Sequence, residues 1–155
     1  MNDEQPVKAV ARLRGRIRVP GDKSTSHRAL LISALASGES VIDGLSPGAD
    51  VRATSRIVAQ LGAAVHAQGA QVHVLGPEEG LHPSATALDC GNSGTTMRLL
   101  AGLVSGVEGA HELVGDASLS ARPMDRVAVP LRAMGALVEG AGERVTAPLR
   151  VHGRA

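Results

Sequence analysis

The aliphatic run Ala29-Leu30-Leu31-Ile32-Ser33-Ala34-Leu35 is too dense for a half-exposed surface and predicts a mostly buried helix over about residues 25–36, stopped by Ser37-Gly38. Ahead of it, Arg16, Ile17, Arg18 and Val19 alternate as a strand with one covered face does, and Pro20-Gly21 breaks that strand. Residues 7–13 alternate more weakly and suggest a first strand ending at Gly15. Residues 40–45 read as a strand, followed by the turn-rich Ser46-Pro47-Gly48-Ala49. Asp50 then suits the cap of a helix with Val51, Ile57, Val58 and Leu61 on one face and Arg52, Arg56 and Gln60 on another; Gly62 ends it. Residues 65–67 and 71–75, joined through Gln68-Gly69-Ala70, predict a short hairpin.

This order of strand, helix, strand, helix and two strands recurs. Gly91 to Leu100 lies under Gly21 to Leu30 at an offset of 70 residues, with Gly, Thr, Arg and Leu identical at four positions. Leu103-Val104-Ser105-Gly106 answers to Leu35-Ala36-Ser37-Gly38 at an offset of 68, and Met134-Gly135-Ala136-Leu137-Val138 to Leu61-Gly62-Ala63-Ala64-Val65 at 73. Length changes between elements are what loops tolerate, so the pattern reads as an internal duplication. Helices are expected over about 93–104 and 123–134, the latter with Met124, Val127, Leu131 and Met134 on one face. Pro123 suits its first turn, whereas Pro130 should kink it or make it restart. Residues 144–147 and 149–152 read as closing strands, Leu149 and Val151 facing the core. The fold expected is α/β, built of two βαβαββ units over residues 15–84 and 85–155, with residues 1–14 a separate strand segment. A duplicated unit with helices on one side normally needs a partner layer, which suggests an incomplete assembly.

Composition narrows the function classes. With 155 residues, 43% hydrophobic and 20% charged, the chain has the make-up of one soluble globular domain. A formal charge of +1 gives no basic field for nucleic acid, and the absence of Phe, Tyr and Trp leaves no platform for stacking bases. The single Cys90 excludes an intrachain disulfide or a cysteine-cluster metal site, reads as a small buried hydrophobe and fits a reducing cytosol. Residues 1–6 are polar and no run of 18 apolar residues occurs, so neither secretion nor membrane insertion is expected and the location expected is cytoplasmic.

Three segments share a chemical character. Lys23, Ser24 and Arg28 surround one helix start; Asn92-Ser93-Gly94-Thr95-Thr96 with Arg98 surrounds a second; Gly115-Asp116-Ala117-Ser118-Leu119-Ser120-Ala121-Arg122-Pro123 leads into a third. A helix start offers unpaired backbone N–H groups and a positive dipole end, and small residues let phosphate or carboxylate approach. Arg and Lys add full charges, Arg in bidentate geometry. Asp22, Ser24 or Thr25 also suits plain capping, as do Asp50 and Asp116. A Walker-type nucleotide loop is excluded, because its two glycine positions hold Asp22 and Ile17. His27, His66, His73, His82, His111 and His152 are scattered without metal-ligand spacing, so no metal is expected; His27 is open to either an anion contact or a structural role.

Taken together, Pro20-Gly21-Asp22-Lys23-Ser24-Thr25-Ser26-His27-Arg28, Gly91-Asn92-Ser93-Gly94-Thr95-Thr96-Met97-Arg98 and Gly115 to Met124 resemble the signatures of the EPSP synthase (3-phosphoshikimate 1-carboxyvinyltransferase) family, in order and at suitable spacing from about residue 10 to residue 153. The resemblance implies the enolpyruvyl transferase fold: two halves, each of three βαβαββ units of an inside-out α/β type, closing on substrate. It implies transfer of an enolpyruvyl group from phosphoenolpyruvate to the 5-hydroxyl of shikimate 3-phosphate, with release of phosphate, on the way to chorismate and the aromatic amino acids. The positions of Lys23, Gly94 and Arg122 would hold phosphoenolpyruvate, and those of Lys23, Ser24 and Arg28 would hold shikimate 3-phosphate. Asn92, Thr95 and Arg98 would support them, with no cofactor, and glyphosate would compete with substrate. The family's acid/base groups come largely from later sequence, so the expectation is an N-terminal portion, partnered by a C-terminal half, that alone binds weakly and does not turn over. Two alternatives stand beside it. One is a non-catalytic anion-binding or interaction module. The other is the enolpyruvyl transferase of UDP-N-acetylglucosamine, whose reactive cysteine belongs near Ala117-Ser118-Leu119-Ser120, where this chain has none.

Overall fold

The computed structural model describes residues 9, 12 and 14–153. The helix α1 (Lys23–Leu35) leads to β1 (Glu39–Asp43), α2 (Ala49–Gln60) and the hairpin β2 (Ala64–Gln68) and β3 (Gln71–Leu75). Then follow β4 (Leu88–Asp89), α3 (Gly94–Val104), β5 (Gly109–Val114), the short α4 (Ala117–Ser120), α5 (Asp125–Ala133), β6 (Leu137–Ala141) and β7 (Thr146–Gly153). The hairpin turns at Gly69, whose φ of 61° favours glycine.

The strand orders are β1-β3-β2 and β4-β5-β7-β6, antiparallel throughout except for the parallel pair β4–β5. β1, β3 and β2 thus recur as β5, β7 and β6, so the sequence repeat is also a repeat of topology. In β7, Leu149 and Val151 are fully buried while Arg150 is exposed, the one-sided cover their alternation predicts. Helices α1, α2 and α3 pack on one another, and Leu30, Ile57, Leu61, Met97 and Leu100 are fully buried among them. Burying such a side chain contributes about 1.5–3 kcal/mol each, so this shared interior, not the single helices, fixes how the helix starts lie.

Several expectations are corrected. The segment 7–13 falls largely outside the described residues. Arg16 to Val19 joins no sheet, and Ile17 and Val19 are 86% and 71% exposed. Alternation signals fitness for a half-buried surface, and among the described residues no neighbouring strand supplies one. α1 is less buried than its composition suggests, since Ile32 and Leu35 remain 65% and 60% exposed. The cap of α2 is the backbone of Gly48, and Asp50 sits inside the first turn. α5 starts at Asp125, after Pro123, because the Met124 N–H is taken by Arg144 and Val145 carbonyls. It runs through Pro130 without restarting: Arg126, whose carbonyl loses its helical partner there, is exposed and can be hydrated. The closing pair of strands is β6 with one continuous β7, not 144–147 with 149–152. Pro148 is tolerated because it has no partner in either ladder, opposite the irregularity between Glu139 and Ala141. Gly140 and Gly142 interrupt the alternation that would have revealed β6.

Candidate anion site at three helix starts

α1 is capped by Asp22, whose Oδ1 accepts the Thr25 N–H at 2.7 Å, and this bond above all holds the Asp22 carboxyl below its usual range. One residue on, the Lys23 ammonium donates to the Asp50 carboxylate in the first turn of α2. That ion pair is the main reason Asp50 stays ionised below the usual carboxylate range; burial opposes it, and the Ser93 hydroxyl helps. The Lys23 side chain is 54% exposed, so its charge remains reachable from solvent.

α3 is capped by Ser93, whose Oγ accepts the Thr96 N–H at 3.1 Å. Gly94 follows. A β-carbon there would stand 2.6 Å from Nη1 of Arg98 and 3.5 Å from Nη1 of Arg122, so two guanidinium groups converge over one bare backbone. Arg98 is anchored by donating from Nη2 to the Pro123 carbonyl at 3.0 Å. Arg122 donates from Nη2 to Asn92 Oδ1 at 2.6 Å and to Ser118 Oγ at 3.3 Å. Asn92 in turn donates its amide to both Asp116 oxygens, at 3.0 and 2.7 Å. Asp116 also caps α4, accepting the Leu119 N–H at 2.8 Å, and these bonds, Asn92 first, keep its carboxyl below the usual range.

Lys23, Asn92, Gly94, Arg98 and Arg122 are therefore brought together, linked through Asp50, Ser93 and Asp116. Ser24 and Thr95 are exposed in the first turns of α1 and α3, with no side-chain hydrogen bond among the described residues. Arg28 is also exposed and outside the bonded cluster, on the side of Asp22, whose ionisation its charge favours. Sequence reasoning missed Asp50 as the partner of Lys23, taking it for a cap, and missed the hydroxyl of Thr54 altogether, while Thr96 was seen only as part of the second cluster. It also passed over Gly44-Leu45-Ser46-Pro47-Gly48, which fits the G-x-S-x-G spacing of a nucleophile elbow between β1 and α2. Among the described residues no histidine bonds the Ser46 hydroxyl; the Ser46 N–H donates to Ser26 Oγ at 3.0 Å, which ties the segment to the start of α1.

The arrangement gathers two guanidinium groups over one bare backbone. Both nearby carboxylates are ionised and occupied, and the Cys90 thiol is buried and pushed up to about 12, burial being the main cause. A cavity of about 500 Å³ between α3 and α5, lined by Gly102, Ser105, Leu131 and Met134, lies at the other ends of these helices, away from the cations. Among the described residues no helix is long and apolar enough to cross a membrane.

Residues 7–155 match the family model of EPSP synthase (3-phosphoshikimate 1-carboxyvinyltransferase). The chain belongs to the EPSP synthase family. A 3-phosphoshikimate 1-carboxyvinyltransferase of Streptococcus equi subsp. equi (strain 4047) is 49% identical over 142 residues, covering 91% of this chain and 33% of that protein. One from Xanthomonas campestris pv. campestris (strain B100) is 51% identical over 144 residues, covering 91% and 32%. The EPSP synthase structure from Acinetobacter baumannii superposes with a TM-score of 0.84 at 42% identity, covering 90% of this chain and 32% of that one. The α/β fold is thus that of EPSP synthase, and the chain spans about a third of the length of these relatives.

Proposed function

We propose that the chain supplies the anion-holding part of a transferase that moves the enolpyruvyl group of phosphoenolpyruvate to the 5-hydroxyl of shikimate 3-phosphate in the cytoplasm. A carbon–oxygen bond forms at the 5-oxygen, the bond to phosphate at the same carbon breaks, and phosphate and the hydroxyl proton leave. The observation that carries the reading is the convergence of the Arg98 and Arg122 guanidinium groups over Gly94, with the Lys23–Asp50 pair beside Ser93. Phosphoenolpyruvate carries both a phosphate and a carboxylate, and two forked cations over a bare helix start match that pair of anions. In this reading Lys23, Gly94 and Arg122 hold phosphoenolpyruvate; Lys23, Ser24 and Arg28 hold shikimate 3-phosphate; Asn92, Thr95 and Arg98 support them. Pre-placed cations stabilise charge as it shifts to the departing phosphate and hold the reactants in attacking geometry.

The groups that shuttle protons belong to the remaining length of the enzyme, since Asp50 and Asp116 are already engaged. NMR titration of this chain, followed at the Gly94 amide, tests the reading. Shikimate 3-phosphate and phosphoenolpyruvate should shift that resonance and UDP-N-acetylglucosamine should not, while the isolated chain releases no phosphate from the two substrates. A response to UDP-N-acetylglucosamine alone would assign the site to the other transferase, and a response to any small anion alike would leave a general anion-binding module.

A further inference from the structure

Below the helix starts lies a row of buried polar side chains that the anion-holding reading does not use. His27 of α1, Thr54 of α2, and Ser93 and Thr96 at the start of α3 are all within 5% of complete burial. His27 Nδ1 lies 2.8 Å from Thr54 Oγ1, Thr54 Oγ1 lies 2.9 Å from Thr96 Oγ1, and Thr96 Oγ1 donates to Ser93 Oγ at 2.7 Å. Each hydroxyl has one proton to give. The Asp50 carbonyl lies 3.4 Å from Thr96 Oγ1 and 3.5 Å from Thr54 Oγ1, farther than the hydroxyl partners, so Thr96 gives its proton to Ser93 at 2.7 Å and Thr54 is the donor on the 2.9 Å bond between the threonines. Thr54 Oγ1 then has only lone pairs left for His27, and Nδ1 must carry the imidazole proton. At the far end Ser93 Oγ accepts from both the Thr96 hydroxyl and the Thr96 N–H, leaving its own proton free for the Asp50 carboxylate beside it. The row thus runs in one direction, from an imidazole N–H to the carboxylate that holds Lys23.

The other ring nitrogen lies outside the row. Among the described residues His27 Nε2 is buried with no hydrogen-bond partner. A buried ring nitrogen without a partner carries a desolvation cost in either protonation state, so the tautomer is set at Nδ1 by the row of hydroxyls.

We infer that His27 is a positioning residue for the Lys23–Gly94 anion site, acting through the one-way relay of Thr54, Thr96 and Ser93 to fix Asp50, and through it Lys23, against the start of α3. The inference rests on the function proposed above. The relay ties together α1, which supplies Lys23, α2, which supplies Asp50, and α3, which begins at Gly94, and it does so in a buried setting where an unmade hydrogen bond is costly. Thr54 is its central link.

Two substitutions separate the relay from simple packing. Thr54→Val keeps the shape and removes the hydroxyl; Thr54→Ser keeps the hydroxyl and removes a methyl. In the wild-type chain, ¹⁵N spectra of the His27 ring should show the proton on Nδ1, and phosphoenolpyruvate should shift the Gly94 amide. Thr54→Val should lose the fixed Nδ1–H tautomer and weaken phosphoenolpyruvate about five-fold, the equivalent of about 1 kcal/mol for one neutral hydrogen bond. Thr54→Ser should retain both the tautomer and the affinity, and it decides the matter alone if the valine variant does not fold. A proton on Nε2 in the wild type, unchanged binding in Thr54→Val, or loss of binding in Thr54→Ser overturns the inference while leaving the anion site standing. A wild-type chain with the expected tautomer whose Gly94 amide ignores phosphoenolpyruvate overturns the site itself, and the positioning role with it.

Discussion

Replacing Gly94 by alanine adds one carbon between two guanidinium groups. The new atom would lie 2.6 Å from Arg98 Nη1, closer than a β-carbon is found to any neighbour, and 3.5 Å from Arg122 Nη1, an ordinary contact. Arg98 must retreat, and its retreat is resisted by the bond from Nη2 to the Pro123 carbonyl at 3.0 Å. Loss of a hydrogen bond made by a charged group costs about 1.5–3 kcal/mol, while alanine is favoured over glycine by up to about 1 kcal/mol within a helix. Fold stability should therefore fall only slightly, by about 1–2 kcal/mol. Binding should suffer more, because the methyl group occupies the place where the anion meets the backbone N–H groups and both guanidinium groups at once. Forfeiting one charged contact there corresponds to about 10- to 100-fold in affinity. Amide-detected NMR titration with phosphoenolpyruvate and glyphosate, alongside thermal melting, measures both quantities. If Gly94→Ala folds and binds phosphoenolpyruvate within two-fold of the wild type, the converging guanidinium groups are not the anion site.

Lys23→Ala should weaken shikimate 3-phosphate and phosphoenolpyruvate by at least ten-fold, and Ser24→Ala by about five-fold, since hydrogen bonds from a charged donor are worth about 1.5–3 kcal/mol against about 1 for a neutral one; equal losses by calorimetry would contradict this order. Burial first, then the Lys23 charge, hold His27 below its ordinary pKa despite the opposing pull of Asp50. The unfolded chain therefore binds more protons than the folded one as pH falls below about 6.5, and stability drops across that window. Urea melts between about pH 7 and pH 5 should show the drop, and His27→Asn should flatten it. The depressed Asp50 carboxyl acts lower on the scale: its contribution is complete above the ordinary aspartate range and fades as pH falls through its folded pKa, an acid limb that Lys23→Ala should shrink. The buried Cys90 thiol, raised to about 12, should resist iodoacetamide at pH 8 in the folded chain and react promptly in denaturant; rapid labelling without denaturant would show the start of α3 to be open.

The longer helices were readable because each carries a start or stop signal and an apolar face, whereas the four-residue α4 was not foreseen. α1 and α3 begin and end within two residues of where the sequence puts them, and the hairpin of β2 and β3 is marked by its glycine turn. Strands fared worse wherever the partner decides. The segment Arg16 to Val19 has a clean alternation and no sheet partner among the described residues, whereas β4, two residues long, has no alternation to show and is a strand only because β5 lies parallel to it. Local pattern records what a segment could pair with; pairing itself is a property of distant residues.

The same division explains the site. Glycine, hydroxyl and basic residues at three helix starts were visible as a chemical type, because anion binding at a helix N-terminus is a local property. The partners were not visible, because Asp50 is 27 residues from Lys23, Asn92 is 30 from Arg122, and Thr54 is 42 from Thr96. Those partners also change what the cations mean. A lysine already paired with a carboxylate binds an incoming anion by exchange, so the affinity of the site is the difference between two attractions. Exchange is tolerable only if the displaced carboxylate keeps other donors, and Asp50 has the Ser93 hydroxyl beside it to remain ionised while Lys23 turns to substrate. Asp50→Asn should accordingly free Lys23 and tighten simple anions such as inorganic phosphate, yet loosen the lysine's placement. A variant that binds phosphate more weakly than the wild type would show that the carboxylate orients the lysine more than it competes for it.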